Sequence, residues 1–412
     1  MASRTELVAD HAVFTAAKPN AIALQEVELS LERVQQWVEN HEYRGYEPFD
    51  GLSSWARPLA FGNLFAERLL MQAIRQCPIN LRPLLGVQPK DSTKGRGYMA
   101  AGYVLRYRTT SEQRYLDRAT ECLEWLDQHK IARFRYHSWS NHFDFCSRGG
   151  GYTSDDPIIV WTALIGHAYL DAYEVTRREW FLRIAESTCN WIMELPREHT
   201  ERGDCISYLA DRRSSIHNSN MLGAGLLARA AMHLHNQEYQ RVARSAMEYS
   251  CSRQLPEGGW RYAELPNHHW IDNFHTGYNL DSLNTFLAAT GENDFRPNLE
   301  KGLAYFKQVF FEDSGRPKYY NTRTYPVDIQ CAAQAIDTLA LFAGRDAECA
   351  ELAQKVAAWT IRNMRDADGH FYYRQYPLIK ARTPMLHWGQ GTMFKALAHL
   401  LLQMKSYQRD HS

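Results

Sequence analysis

The sequence predicts an all-α protein, an (α/α)6 toroid of helical hairpins, on three observations. Apolar residues recur with helical period over about a dozen segments and almost nowhere with the alternation of a strand. The segments come in pairs, and the first member of successive pairs begins near Pro157, His217, His275, Val327 and His387, a repeat of roughly 52–60 residues. Stretches rich in Gly, aromatic and polar residues separate the pairs, at 133–153, 204–215, 258–273, 316–325 and 368–383. In a ring of hairpins these linkers all fall on one rim, which makes that rim the expected functional face.

The helical segments run in order over 25–40, 58–77, 96–108, 112–129, 158–175, 178–195, 217–234, 236–254, 275–290, 294–311, 327–343, 346–364 and 386–404. Ser154-Asp155-Asp156-Pro157, Tyr325-Pro326-Val327-Asp328 and Arg382-Thr383-Pro384 each put proline or an acid where a helix starts. Asp155 and Asp156 resemble an acid/base dyad, but their neighbours favour capping. No low-complexity or Pro/Ser-rich linker divides the chain, so its 412 residues are expected to form a single domain over 1–412, with an N-terminal extension at 1–24.

Lys plus Arg and Asp plus Glu both number 47. That balance removes the electrostatic argument for nucleic acid or an anionic membrane as the main partner and leaves a small or neutral-surfaced ligand. Met1 to Glu26 carries no apolar run of signal-peptide length, and no stretch of eighteen apolar residues occurs. A cytoplasmic protein without a transmembrane segment is expected. The eight cysteines lack CxxC spacing and mostly lie in helical patterns, so they are read as reduced core residues.

Gln254-Leu255-Pro256-Glu257-Gly258-Gly259-Trp260 fits the QxxxGxW repeat of terpenoid-cyclase toroids, with Asp366 to Phe371 as a degenerate second copy. Its meaning is architectural, a glycine-closed turn packed by an aromatic edge. Neither the acidic DxDD nor the DDxxD motif of terpene chemistry occurs.

The densest titratable and aromatic cluster is His268 to Asp281. Its spacing is not that of a metal motif, so neither a metal nor a cofactor is expected. His275 and Tyr278, three apart on the first turn of an inner helix, point the same way. His217, Asn218 and Asn220 open another inner helix at the same depth, and Tyr319, Tyr320, Arg323 and Asp328 sit before and inside the next. These are expected to converge on one pocket. His275, Tyr278, His217 and Tyr320 are the candidate catalytic residues. Asn220, Arg323, Asp328, Trp260, Trp270, Tyr373, Arg374, His387 and Trp388 form the candidate substrate-binding set, with aromatic faces for pyranose stacking and guanidinium forks for an acidic group. Plainer structural roles stand beside these: capping for Asp328, a polar link between helices for Asn220. The non-helical stretch Tyr43 to Leu52, with two acids among aromatics, either closes the cleft or plugs the space between the first two helices.

A series of short motifs resembles a family of helical-toroid proteins encoded with bacterial exopolysaccharide biosynthesis, the VpsJ-like proteins. In order these are Tyr43 to Ser53, Cys77 to Pro83, Lys94-Gly95, Asn218-Ser219-Asn220, Gly258-Gly259-Trp260, His275-Thr276-Gly277, Pro326 to Ile329 and Trp388-Gly389-Gln390. The resemblance covers about residues 43 to 400. It implies an α/α toroid and a role in making or tailoring an exopolysaccharide, and leaves the reaction open.

Three functions then compete. The first is an enzyme acting on a uronic-acid-containing glycan by C5 epimerisation or β-elimination. It would use Asn220, His217 and Arg323 to neutralise the carboxylate, and His275 with Tyr278 or Tyr320 as base and acid. The second is an inverting glycoside hydrolase drawing two carboxyls from Asp50, Glu47, Asp272, Asp281 and Asp328. The third is a non-catalytic glycan-binding protein working with the polysaccharide-assembly machinery.

Overall fold

The computed structural model describes residues 22–147 and 149–410. Most of the expected 1–24 extension therefore lies outside the described residues. Thirteen α-helices are present among them: α1 Leu24–Asn40, α2 Leu64–Gln76, α3 Thr93–Thr110, α4 Gln113–Gln128, α5 Ile159–Thr176, α6 Glu179–Met193, α7 His217–Leu234, α8 Gln237–Cys251, α9 Asn273–Thr290, α10 Arg296–Val309, α11 Ile329–Phe342, α12 Ala347–Met364 and α13 Thr392–Asp410. The all-α toroid holds. Helices α3, α5, α7, α9, α11 and α13 each contact the next, and α13 returns to α3 to close an inner ring. Helices α4, α6, α8, α10 and α12 back the ring from outside, while α1 packs on α13, so the first and last helices of the chain form the sixth hairpin.

The two rings differ in sequence for a packing reason. Outer helices carry a single apolar stripe, as in α4, where Tyr115, Ala119, Cys122, Leu123 and Leu126 are buried and the opposite face meets water. Inner helices are buried on nearly all sides and pack closely through small residues. A Cβ at Gly102 of α3 would strike Phe394 of α13, and one at Gly166 of α5 would strike Leu226 of α7. The described cysteines are free, and all but Cys77 are buried.

The glycine turn of the QxxxGxW motif recurs at four of the six hairpins. Gly203, Gly258, Gly315 and Gly369 all have positive φ, between 84° and 108°. A Cβ there would collide with a backbone carbonyl on the following outer helix: Ser245 of α8, Lys301 of α10, Lys355 of α12 and Arg33 of α1 respectively. Only glycine meets both demands. Gln254 braces its turn by donating to the Gly258 and Asn298 carbonyls at 2.8 and 2.9 Å, and the Trp260 indole donates to Ser250 O at 3.0 Å. The motif is a hairpin clamp.

One expected helix is wrong in extent and place. Residues 58–77 do not form one ring helix: a 3-10 turn at Arg57–Ala60 is broken by left-handed Phe61 and Gly62, and α2 starts afresh with the Asn63 side chain as its N-cap. Helix α2 lies on the rim against the 3-10 turn Asp50–Ser53 and the strand Phe145–Ser147. Its outward side leaves Leu64, Phe65 and Leu69 exposed. The segment 44–91 thus sits over the mouth of the ring. Asp156 also departs from expectation, since it closes the turn to the Thr153 N–H at 2.8 Å while α5 begins later, at Ile159.

Candidate active site

The N-terminal ends of the inner helices point to the rim, and the residues there are held by their first turns. Asp272 caps α9, its Oδ1 accepting from His275 N at 3.0 Å and its Oδ2 facing His275 Nδ1 at 2.7 Å. His275 is one-fifth exposed, with Tyr262 and Phe274 against its ring. Beside it is a cavity of about 10 Å³ bounded by Asn218, Trp260, Tyr262, Asp272 and Asn279, room for about one water. Trp270 stacks on Tyr262 at 4.6 Å and donates to Asp272 at 3.1 Å.

One turn deeper, the Tyr278 hydroxyl meets the Tyr98 hydroxyl of α3 at 2.7 Å and accepts from Gln330 Nε2 of α11 at 2.9 Å. Burial pushes Tyr278 well above the ordinary phenol range, so it is a neutral proton donor. Lys94, at the start of α3, is 4 % exposed. Its Nζ lies 4.7 Å from the Trp161 ring centroid, 5.5 Å from Tyr98 and 5.8 Å from Tyr278.

His387 occupies a π-helical turn, Leu386–Gly391, that leads into α13. Its N–H donates to Glu47 Oε1 at 2.9 Å, and its Nδ1 lies 2.7 Å from Glu47 Oε2, although off the line of a good hydrogen bond. The ring Nε2 has no partner. Burial drives the His387 imidazole down, so it is neutral near pH 7, and the Glu47 charge only partly offsets this. Burial also pushes Glu47 up, but His387 and then His142 more than cancel that, and it stays ionised. Each shift depends on the charge of the other group, so the pair titrates as a unit, with burial favouring the neutral imidazole.

Glu47 belongs to the segment that covers the mouth. Asp50 accepts from Glu47 N at 2.8 Å and from the buried Arg82 at 2.7 Å, and Arg82 also reaches Glu47 O at 2.8 Å. Tyr46 O accepts from Leu386 N at 2.8 Å, and Phe49 lies edge-on to Trp388 at 5.8 Å. Of the two sequence readings of Tyr43 to Leu52, closure of the axial mouth describes its position. An open cleft of about 930 Å³ borders it, lined among others by Arg44, Lys90, Trp125, Asn141 and His142. Burial pushes the His142 imidazole down to about 4, and the nearby Glu47 charge offsets this only in part, so the cleft floor adjoins the axial cluster.

The expected convergence on one pocket fails for several residues. His217 and Asn220 face the outer helix α8. His217 Nε2 lies 2.8 Å from Glu264 and Nδ1 3.2 Å from Ser250 Oγ; Asn220 accepts from Ile206 N at 2.8 Å and donates to Ala246 O and Ser250 at 2.7 and 2.9 Å. With every polar atom paired they link α7 to α8. Trp260 is the hairpin clamp already described. Asp328 caps α11 by accepting from Gln330 N at 3.0 Å, and it receives Arg374 Nε at 2.5 Å and Trp388 Nε1 at 2.7 Å. Asp328, Arg374 and Trp388 are therefore a closed buried unit. Tyr373 is buried and accepts from Arg75 Nε at 3.1 Å. Tyr320 and Arg323 stay on the rim, Arg323 exposed and stacked over the Tyr320 ring at 4.8 Å. His275, Tyr278 and His387 are brought together around Phe274, whose ring is 5.4 Å from Trp388. Lys94, Tyr98, Trp161 and His142 join them, none of which sequence reasoning assigned a chemical role, as does Glu47, which it offered only as a hydrolase carboxyl.

No family model matches this chain, and no curated protein matches it. Solved structures do. A sugar epimerase from a ruminal bacterium superposes with a TM-score of 0.65 at 10 % identity, covering 94 % of this chain and 99 % of that one. A polysaccharide lyase gives 0.61 at 13 %, covering 94 % and 98 %. An α-1,6-mannanase of Salegentibacter sp. HEL1_6, in complex with α-1,6-mannotriose, gives 0.59 at 14 %, covering 77 % and 91 %. At these identities the likeness is one of fold, the (α/α)6 toroid of six-hairpin enzymes.

Proposed function

We propose that the protein is a cytoplasmic carbohydrate-active enzyme of exopolysaccharide biosynthesis, acting on a uronic-acid-containing glycan by C5 epimerisation or the related β-elimination. The observation that carries the reading is that His387, an imidazole with a free Nε2 that burial keeps neutral, and Tyr278, a phenol that burial keeps neutral, flank the same Lys94–Trp161 pair: the Trp161 ring lies 6.0 Å from that of His387, and Lys94 Nζ lies 4.7 Å from Trp161 and 5.8 Å from the Tyr278 ring. Removing the proton α to a sugar carboxylate needs a base on one face and an acid able to return or deliver a proton. His387, oriented by Glu47, serves as base, and Tyr278, bonded to Tyr98, as acid. His275 with Asp272 stands on the rim side of the same cluster. Toroids of this fold act on sugars in an epimerase, a lyase and a mannanase, which supports the substrate class.

Hydrolysis has less support. An inverting hydrolase needs two carboxyls about 6.5–9.5 Å apart with faces free for substrate and water. Glu47, Asp50, Asp272 and Asp328 are each engaged, with His387, Arg82, His275 and Arg374 respectively, and Asp281, the fifth candidate, lies deeper on the axis, where burial and then Asp337 push it up to about 7. Entry to the axis is from the 930 Å³ cleft past His142, with displacement of the 44–53 segment.

The test is incubation in deuterium oxide with a panel of uronate oligosaccharides, following the C5 proton by NMR. Exchange without cleavage gives epimerisation, and a new unsaturated end gives elimination. Reducing ends without exchange would overturn the proposal in favour of hydrolysis.

A further inference from the structure

Lys94 is a buried cation without an anion. Among the described residues no carboxylate lies within ion-pair distance of its Nζ, and its near neighbours are three aromatic faces contributed by α3, α5 and α9. The charged or titratable groups that face it are Tyr98 on its own helix, Tyr278 on α9, Glu47 from the covering segment and His387 from the π-helical turn. Glu47, the one carboxylate among them, accepts from the His387 backbone N–H through Oε1 and faces the His387 ring through Oε2, and it forms no ion pair with Lys94. Further polar atoms of this region are buried and unpaired: Trp161 Nε1, Gln330 Oε1, Asn279 Oδ1 and His387 Nε2. Burying a charge is costly unless a counter-charge arrives, and buried polar atoms are ordinarily bonded. A lone cation set among orphaned donors and acceptors is complementary to a ligand with one negative charge and several hydroxyls.

We propose that Lys94 binds the carboxylate of an acidic sugar, so that the axial site selects uronates over neutral sugars. This rests on the reading of the protein as a carbohydrate-active enzyme and names its substrate class. In that place the ammonium does what was expected of Asn220 and His217, neutralising the carboxylate so that the adjacent C–H becomes acidic. The aromatic faces around the ammonium lower the local dielectric, which strengthens the contact.

The experiment compares an oligouronate with the same oligosaccharide after its carboxyls are reduced to primary alcohols, titrated calorimetrically against the full chain. The native protein is expected to bind the acid at least ~10-fold more tightly than the alcohol. Lys94→Met is expected to bind the two alike, and Lys94→Arg to keep part of the preference, with thermal melts showing that both variants fold. Burial pushes the Lys94 ammonium down to about 7, so at pH 7 the acid is also expected to draw in about half a proton per site. That uptake, read from the dependence of binding heat on buffer, should vanish in Lys94→Met. Equal binding of acid and alcohol by the native protein, or a preference that survives in Lys94→Met, overturns the inference and leaves the carbohydrate reading standing. Failure of every sugar to bind overturns both.

Discussion

The seam between α7 and α8 and the axis of the inner ring both bury several polar side chains, and they differ in how those side chains are partnered. At the seam, His217, Asn220 and Ser250 bond to one another, to Glu264 and to the backbone of 206 and 246, with both His217 nitrogens and both Asn220 side-chain atoms used. On the axis, Lys94 lacks an anion, and His387 Nε2, Trp161 Nε1 and Gln330 Oε1 lack any partner. A satisfied cluster is complete without a ligand and acts as polar glue; an unsatisfied one carries a cost that a ligand can remove. Both start from histidines on the first turn of an inner helix, so residue type alone does not separate them.

The largest expected effect breaks the comparison at its two histidines. His387→Ala should lower kcat by ~100- to 10,000-fold, the range for losing a general base, in the fraction that stays folded after the buried Glu47 has lost its partner. His217→Ala should spare the chemistry. It removes one of the partners of Ser250, which keeps Asn220, and of Glu264, which keeps Arg253, and should cost about 1 kcal/mol in urea unfolding, with kcat of the folded enzyme unchanged. A kcat loss in His217→Ala matching that of His387→Ala would mean that the seam, not the axis, holds the chemistry.

How much of this was legible follows the same division. The ring was readable because the hairpins repeat their apolar period and four of them, from Gly203 to Gly369, repeat the glycine turn, and such local signals survive in sequence. His275 and Tyr278 were readable because three residues on one helix share a face. Lys94 was missed because a lysine at a helix start reads as a solvated residue. The available signal was its setting, Gly95, Gly97 and Tyr98 on a helix with no polar face. The Glu47–His387 pair joins residues at opposite ends of the chain, and no spacing reports it. Asp328 and Arg374 looked like binding groups because their mutual pairing is likewise long-range.

A second, intermediate effect concerns the segment over the mouth. Arg82 is buried against Asp50, with both side chains under one-twentieth exposed. Arg82→Met strands the carboxylate, and losing one partner of a buried pair costs about 3–5 kcal/mol. The 44–53 stretch rests on the π-helical turn and is not one of the ring helices, so the loss should appear as local opening. Hydrogen exchange is expected to speed up at 44–53 and to stay unchanged in α7 and α9. Uniform acceleration through the ring would show that the cover is part of the core and does not open separately.

The smallest effect lies deeper on the axis, where Asp281 of α9 and Asp337 of α11 approach each other. Lys395 and His399 of α13 hold Asp337 well below the ordinary carboxylate range, more than offsetting its burial. Burial first, and then the Asp337 charge, push Asp281 up to about 7. Its Oδ2 accepts from Gln334 Nε2 at 2.7 Å and its Oδ1 has no partner, which suits a protonated carboxyl. The sign follows from linkage. Asp281 takes up its proton more readily folded than unfolded, so its contribution to stability is full below pH ~4 and is lost as pH rises through about 7, by at most ~1.4 kcal/mol per pH unit. Asp281→Asn mimics the neutral form and cannot titrate. Its melting temperature relative to the native protein should therefore climb from pH 4 to 7 and level off above, by a few degrees in all. Titrations common to both proteins cancel in that difference. A flat difference across the range would mean that Asp281 is ionised in the fold and shares Lys395 with Asp337, so that the carboxylates of the deep axis are paired like those of the seam.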